Sequence, residues 1–388
     1  MSGLTSRIYL DNNATTRPFP EVIEAVAHHL EHSYGNPGSR HAEGQAARKA
    51  LEESRESMAA VLGADPDEVI FTSGGTESTN MAVFGFTQTT PGTIALTAGE
   101  HPATIESCRN LQRQGWKLHT LEVDTDGRLI PEQYDELPWN ELKLVTVILA
   151  HNETGVVQDV KPLAVSCEKH GVAFHVDAVQ AVGKIPVSFH ELGATSLSLG
   201  AHKLHGPRGI GSLLLRKGAK LAPFQFGGHQ ESGLRPGTEP VALIVGMALA
   251  LKIWNEQRED RKLRITELRD RLEAGLAENC APIVINGSQG RRLPNTLNIA
   301  FPGLDGEALL VALDLEGISC SLGSTCASGS AEPAPVLVAM GCPPEVFQSS
   351  VRFSVGSENT GEEIDEAIRR ISAVVGRLRN LAEVVIQN

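Results

Sequence analysis

Short β-rich runs alternate with helical segments through the first half of the chain, and this alternation constrains the fold more than any other feature. Between about residues 67 and 216, six runs have the composition of strands: EVIFTS, GTIAL, KLVTVILA, VAFHVDA, TSLSLGA and IGSLLL. Such alternation predicts a mostly parallel α/β sheet. Several runs are apolar on both faces, as expected where helices cover both sides of the sheet. The main core is therefore expected here.

The pattern changes after this region. Residues from about 240 to 279 show helical apolar spacing and then a charged stretch, which predicts long helices that link two lobes. Further on, short strands mix with helices, as is typical of a smaller α+β domain. A length of 388 residues also favours more than one domain.

The composition argues against several classes of protein. A formal charge of −13 repels polyphosphate, so no direct nucleic-acid binding is expected. The N-terminus lacks the apolar run of a signal peptide and no long apolar run follows, so we expect a cytoplasmic protein without a membrane span. Six cysteines without CxxC pairs argue against a disulfide framework and a structural zinc site, and no metal is predicted.

Two charged residues follow predicted strands, where ligands bind in open α/β sheets. Lys203, in LSLGAHK, comes directly after one strand, and a lysine in a low-dielectric cleft can lose its proton and form a Schiff base with an aldehyde. Asp177, in HVDAVQ, comes at the end of another, where a carboxylate can pair with the protonated ring nitrogen of pyridoxal phosphate. The ordinary alternatives are a surface lysine and a helix N-cap.

The glycine-rich stretch TSGGTES (72–78) joins a predicted strand to a predicted helix. It presents backbone N–H groups and hydroxyls at a helix N-terminus, which favours binding of a phosphate. It matches neither the Walker pattern nor GxGxxG. A plain strand–turn–helix connection is the alternative interpretation.

The combination of these motifs is more specific than any one of them. The chain resembles the fold-type I pyridoxal-phosphate enzymes, and the order of its motifs resembles the cysteine desulfurases of the NifS/IscS type, within the class-V aminotransferase-like enzymes. The likeness runs from end to end. Besides those above, the motifs that carry it are YLDNNATT (9–16), GNPGSRH (35–41), EHPAT (100–104), HNETG (151–155) and SVRFSVG (350–356).

The resemblance implies an α/β fold of the fold-type I transferases. A mostly parallel seven-stranded sheet would form a large cofactor-binding domain at 16–258. A smaller α+β domain, made of 1–15 and 259–388, would carry a catalytic cysteine loop. A homodimer is also implied, because Thr238 would reach the cofactor phosphate of the neighbouring subunit.

The resemblance also implies a role for each matching residue. Lys203 would carry the cofactor and move protons, Asp177 would hold its ring nitrogen, and His101 would stack on its ring and assist proton transfer. The other predicted cofactor contacts are Gly75, Thr76 and His202 at the phosphate, and Gln180 and Asn152 at the phenolate oxygen. Asn152 would also contact the substrate, and Arg352 would pair with the substrate carboxylate. The alternatives are a loop histidine at 101 and a structural ion-pair residue at 352.

A cysteine loop separates this family from other pyridoxal-phosphate enzymes. Cys326, in SLGSTCASGSAEP, stands where the desulfurase nucleophile is expected, and the Ser-rich loop resembles group I of the family. Small residues let such a loop move between the cofactor and an acceptor. Cys320 is the rival nucleophile, although its position at the end of an apolar run predicts a buried thiol.

The implied reaction removes sulfur from L-cysteine, gives L-alanine and leaves a persulfide on Cys326 for a sulfur-acceptor protein, such as an iron–sulfur scaffold. The alternatives are a selenocysteine lyase, another lyase or aminotransferase on the same scaffold, and a catalytically silent carrier or scaffold subunit. Two positions depart from the family pattern. Gly200 stands where many relatives have a serine on the phosphate, and Ser232 stands where an arginine is usual.

Overall fold

A computed structural model describes residues 7–287, 290–322 and 334–386. The strands are β1 (Ile8–Tyr9), β2 (Val69–Thr72), β3 (Thr93–Thr97), β4 (Lys117–Leu121), β5 (Leu142–Ile148), β6 (Ala173–Asp177), β7 (Ser196–Gly200), β8 (Gly211–Leu215), β9 (Val284–Asn286), β10 (Thr296–Ala300), β11 (Ile318–Ser319), β12 (Ser321–Leu322) and β13 (Ser350–Ser354).

The helices are α1 (Pro20–His32), α2 (Ala42–Leu62), α3 (Gly75–Phe86), α4 (Pro102–Gln112), α5 (Lys161–His170), α6 (Phe189–Leu192), α7 (Val241–Glu256), α8 (Arg258–Asn279), α9 (Gly306–Leu315), α10 (Pro335–Ala339), α11 (Pro344–Phe347) and α12 (Gly361–Ile386). None of the helices in the described part of the chain is both long and apolar enough to cross a membrane.

Seven strands form the largest sheet, in the order β2-β8-β7-β6-β5-β3-β4. Strand β8 runs antiparallel to both of its neighbours, and the other pairings are parallel. The predicted mostly parallel seven-stranded sheet is therefore confirmed. The six strand-like runs correspond to six of its strands. The seventh, β4, is an edge strand of sequence KLHTL with mostly exposed or half-exposed side chains, so it lacks the apolar signature of its neighbours.

The long helices after this sheet have different burial patterns because they pack in different places. Helix α7, VALIVGMALALKIWNE, packs against both α1 and α2, which explains why apolar residues occupy most of its circumference. Helix α8 is charged except for a stripe at Leu268, Leu272 and Leu276, whose spacing of four places them on one face. This helix packs against α12.

A second core lies around the C-terminal elements. It contains a four-stranded antiparallel sheet of order β12-β13-β10-β9 and apolar side chains of α8, α9 and α12. Ile8 and Leu10, from the start of the chain, are buried in this core, and β1 pairs with β11. The N-terminal segment then continues from Asp11 to Thr16 toward the large sheet, where Thr16 hydrogen-bonds the His202 carbonyl. Residues 11–16 thus pass between the two cores.

Candidate active site

A cavity of about 250 Å³ opens at the carboxyl edge of the large sheet. It lies where β5, β6 and β7 end and where α3 and α4 begin, which is the edge at which parallel α/β sheets bind ligands. Its lining residues are Gly75, Thr76, Thr79, His101, Ala103, Ile148, Asn152, Asp177, Val179, Gln180, His202 and Lys203. Of the predicted cofactor contacts, all but Thr238 are among them.

Lys203 ends the 3₁₀ turn that follows β7 and points its ammonium group toward the N-terminal segment. Its Nζ donates hydrogen bonds to the carbonyl oxygens of Asn13, at 2.6 Å, and Ala14, at 2.9 Å. Burial, with a further contribution from Arg352, lowers the pKa of Lys203 to about 8. The amine is therefore much easier to deprotonate than an exposed lysine.

Asp177 and His101 face the same cavity from neighbouring elements. Asp177 ends β6 and is buried, and its Oδ1 accepts the Val179 N–H at 2.9 Å. Burial raises the pKa of Asp177, while His101 and Lys203 oppose that rise. His101 is the N-cap of α4, where its Nδ1 accepts the Ala103 N–H at 3.1 Å, so in the neutral ring Nε2 carries the proton.

The start of α3 forms the end of the cavity that suits a phosphate. A Cβ atom at Gly75 would lie 2.5 Å from Val179, so only glycine allows this close approach. Thr76 follows in the first turn of α3, and His202 lies opposite, with its pKa lowered to about 4 by burial and by Lys203. A Cβ atom at Gly200 would lie 3.4 Å from the Gly75 nitrogen, so the absent serine leaves room without disturbing the backbone.

Gln180 and Asn152 line the cavity but are held by protein groups. The Gln180 side chain donates to the Asn13 carbonyl at 2.9 Å and accepts from Lys184. The Asn152 amide donates to the Glu153 carboxylate at 2.6 Å. These contacts fix both amides at the wall of the cavity.

Arg352 lies on β13 behind the Asn152 backbone and is buried. Its Nη1 donates to the Asn152 carbonyl at 3.1 Å and to the Glu153 carboxylate at 2.8 Å, and its Nη2 pairs with Asp11 at 2.8 Å. Its Nε is buried without a hydrogen-bond partner. The structure thus places Arg352 in a buried ion-pair network beside the cavity, and its role toward a substrate stays a prediction.

Asn13 is the residue that the sequence motifs did not single out. It is buried, and its side chain accepts from Lys184 at 2.6 Å and from Asn295 at 2.9 Å, and donates to Thr296 at 2.9 Å and to the Asn152 carbonyl at 3.1 Å. Its carbonyl accepts from Lys203, as noted above. Asn13 therefore joins the large sheet, the second core and the lysine. Its place within YLDNNATT was the one signal available.

Thr238 lies apart from the cavity and is exposed. It ends a loop, residues 227–238, that Glu231 anchors to the large sheet: its carboxylate pairs with Arg55 through bonds of 2.7 and 3.0 Å and accepts the Phe71 N–H at 2.8 Å. Glu231 and the exposed Ser232 both have positive φ angles, 46° and 56°. The loop is held in an uncommon backbone conformation by one buried ion pair.

The cysteines divide between described and undescribed parts of the chain. Cys326 falls within 323–333, outside the described residues. Cys320 precedes β12, and burial raises the pKa of its thiol to about 12. A thiol with such a pKa is a poor nucleophile at neutral pH.

The donor set fits pyridoxal phosphate. A glycine at a helix N-terminus suits its phosphate, a buried carboxylate suits its ring nitrogen, and a lysine with a lowered pKa suits its aldehyde. All three line one cavity.

Comparisons with known proteins agree with this geometry. The profile of the family described as "Aminotransferase class-V" matches residues 8–367. Cysteine desulfurase NifS of Azotobacter vinelandii is 41% identical over 378 residues, which cover 97% of this chain and 94% of that protein. Cysteine desulfurase IscS of Dictyoglomus turgidum is 39% identical over 378 residues, with coverage of 97% and 96%. A solved structure titled "NIFS-LIKE PROTEIN" superimposes with a TM-score of 0.89 at 36% identity, covering 96% of this chain and all of that one. The resemblance inferred from the motifs is confirmed.

Proposed function

The chain belongs to the class-V aminotransferase family, and we propose that it is a pyridoxal-phosphate-dependent cysteine desulfurase. The observation that carries the proposal is one cavity that brings together Lys203, Asp177 and His101, in a chain similar over 97% of its length to proteins named cysteine desulfurase. The substrate would be L-cysteine, and the products would be L-alanine and a persulfide on Cys326.

Pyridoxal phosphate, when bound, supplies an electron sink that acidifies the Cα proton of an amino acid. Lys203 would attach its aldehyde, and Asp177 would pair with its ring nitrogen. Gly75, Thr76 and His202 would hold its phosphate, while Gln180 and Asn152 would lie at the phenolate oxygen. His101 would cover the ring.

Lys203 is suited to move the Cα proton. With a pKa of about 8, the Lys203 amine is neutral in about half of the molecules near pH 8, so it can accept a proton and return it. The carbonyl oxygens of Asn13 and Ala14 accept hydrogen bonds from the ammonium form and so stabilise it after proton capture. His101, whose neutral ring carries its proton on Nε2, would assist transfer to or from the substrate sulfur.

Arg352 would bind the substrate carboxylate. In the structure Asp11 and Glu153 occupy its two Nη atoms, so a substrate carboxylate must replace one of them or bind at Nε. Burial raises the pKa of Glu153, which favours the neutral form of this group and so its displacement from Arg352.

The sulfur transfer step would use Cys326. Its thiolate attacks the substrate Sγ, an S–S bond forms, and the Sγ–Cβ bond breaks with its electron pair left on the substrate carbon. Protonation of that carbon gives alanine, and the sulfur stays on Cys326 as persulfide. A sulfur-acceptor protein, such as an iron–sulfur scaffold, would then receive it.

Three further features belong to this proposal. Two domains are proposed, at 16–258 and at 1–15 with 259–388, in line with the two hydrophobic cores. A homodimer is proposed because the exposed Thr238 would complete the phosphate site of a partner. A cytoplasmic location is proposed because the five cysteines of the described ranges are free thiols, as in reducing compartments.

One assay tests the proposal. The purified protein with pyridoxal phosphate should absorb visible light and should release sulfide and alanine from L-cysteine in the presence of a thiol reductant. Cys326→Ala should keep the absorption band and lose sulfide release. A colourless protein would contradict the cofactor assignment, and unchanged sulfide release by Cys326→Ala would contradict the persulfide route. Selenide release without sulfide release would favour a selenocysteine lyase.

A further inference from the structure

His101 sits on a short loop, residues 98–101, that joins β3 to α4. The loop turns at Gly99, where φ is +81° and a Cβ atom would lie 2.7 Å from the Val336 Cα. This position therefore requires glycine. The turn directs the Glu100 side chain inward and leaves His101 at the cavity.

Two side chains tie this loop to the end of β5. The Glu100 Oε1 accepts the N–H of Ile148, the last residue of β5, at 2.5 Å. The His151 Nε2 donates to the Gly99 carbonyl at 2.7 Å, while its Nδ1 accepts the Glu153 N–H at 3.1 Å. Because Nδ1 of His151 accepts a hydrogen bond, the proton of the neutral ring lies on Nε2, which can then donate to the Gly99 carbonyl. Glu100 and His151 are both almost fully buried.

Both side chains are suited to hold the loop as neutral groups. Burial and the neighbouring Asp177 raise the pKa of Glu100 to about 8, while the hydrogen bond from the Ile148 N–H acts in the opposite direction. Burial, with His101 and Arg352, lowers the pKa of His151 to about 4. A neutral Glu100 adds no second negative charge beside Asp177, so it does not oppose ionisation of that carboxylate.

We propose that Glu100 and His151 form a clamp, defined by these two side chains, that positions His101 over the reacting atoms. The clamp residues are positioning residues, because they act through the loop and do not line the cavity themselves. The kinetic part of its test rests on the function proposed above. The other part, which follows the His101 resonance, needs only the cofactor-free protein.

The first measurement uses the cofactor-free protein. Histidine-labelled protein should give a His101 imidazole resonance that shifts and broadens in Glu100→Ala and in His151→Ala. Glu100→Gln keeps a neutral acceptor for the Ile148 N–H, so its His101 resonance should match that of the wild type. A His101 resonance that is unchanged in both alanine variants would overturn the proposal, whether or not the protein releases sulfide.

The second measurement separates kcat from KM with L-cysteine. Loss of the clamp should lower kcat about 10- to 100-fold, since a displacement of about 1 Å of a reacting group costs on this order. In Glu100→Ala, KM should change less than about threefold, because Glu100 bonds to the Ile148 N–H and not to Asp11 or Glu153, which hold Arg352. Glu100→Gln should restore most of kcat.

Glu68→Ala is the matched control. Glu68 is also a buried carboxylate that holds a loop through backbone N–H groups, those of Asp65 and Lys217, but it lies at the start of β2, away from the cavity. Glu68→Ala should destabilise the fold without moving the His101 resonance or lowering kcat. An equal loss of kcat in Glu68→Ala would show that general destabilisation explains the effect and would overturn the clamp. An inactive wild type with a displaced His101 resonance in Glu100→Ala would refute the proposed function and leave the clamp standing.

Discussion

Replacement of Asn13 by alanine should destabilise the protein more than its single small side chain suggests. That side chain makes four hydrogen bonds, to Lys184, Asn295, Thr296 and the Asn152 carbonyl. Burial lowers the pKa of the Lys184 amine well below its usual value, so its bond counts as a neutral one. Four neutral bonds at about 1 kcal/mol each give a loss of about 4 kcal/mol. Two of the partners left behind, Asn295 and Thr296, are buried, so water cannot readily replace their lost bonds.

Urea unfolding followed by circular dichroism measures this loss as a change in the free energy of unfolding. Asn286→Ala is the matched control, because Asn286 is also buried but donates only to Asn298 and Ser350 of the second core, away from the lysine. Its loss should be about 2 kcal/mol, with kcat unchanged. Asn13→Ala should also lower kcat, since the segment that holds Lys203 loses its anchor. A loss no larger than that of Asn286→Ala would refute the reasoning.

Three further predictions concern the pH dependence due to Lys203, the loop at 227–238 and the thiol of Cys320. Because the pKa of Lys203 is about 8 in the folded protein and about 10.4 in an unfolded chain, the unfolded state binds more protons between these values, so stability contributed at this site rises with pH there. The cofactor-free wild type should therefore gain stability relative to Lys203→Met as pH rises from about 7 to about 10 in urea titrations, and parallel curves would contradict this. Glu231→Ala should cost about 3 kcal/mol by the same method, because Arg55 loses its buried partner and keeps the half-exposed Glu52 and the Val69 carbonyl. A loss below about 1 kcal/mol would contradict the anchoring role. Cys320→Ala should keep sulfide release in the assay above, and a loss equal to that of Cys326→Ala would make Cys320 the nucleophile.

The large sheet and most of the cavity could be predicted because their signals are local. A buried parallel strand has an apolar run, and the residues directly after it reach the carboxyl edge of the sheet, as Asp177 and Lys203 do. Strand β4 escaped detection because an edge strand needs few apolar residues. Its position depends on pairing with β3, which no local pattern encodes.

The support around the cavity could not be predicted, because it depends on contacts between distant parts of the chain. Asn13, Glu100 and His151 show no periodicity or spacing that marks them, and each acts through partners brought close by the fold. Arg352 was recognised, but the two carboxylates that hold it, Asp11 and Glu153, became apparent only from the structure. Sequence patterns locate groups at strand ends better than they locate the groups that orient them.

The contacts of Asn13 also set the order in which the site can be completed during synthesis. Its backbone N–H donates to the Ser354 hydroxyl on β13 at 2.8 Å, and its side chain bonds to Asn295 and Thr296. When the strands of the large sheet have emerged from the ribosome, the nascent chain already contains Lys203 but lacks all of these later partners. Gln180 and Lys184 can contact Asn13 earlier, but the contacts from the second core that complete its anchoring form only after β13 has emerged. Completion of the lysine site is thereby linked to a nearly complete chain, and a product truncated before β13 would have the sheet without these contacts.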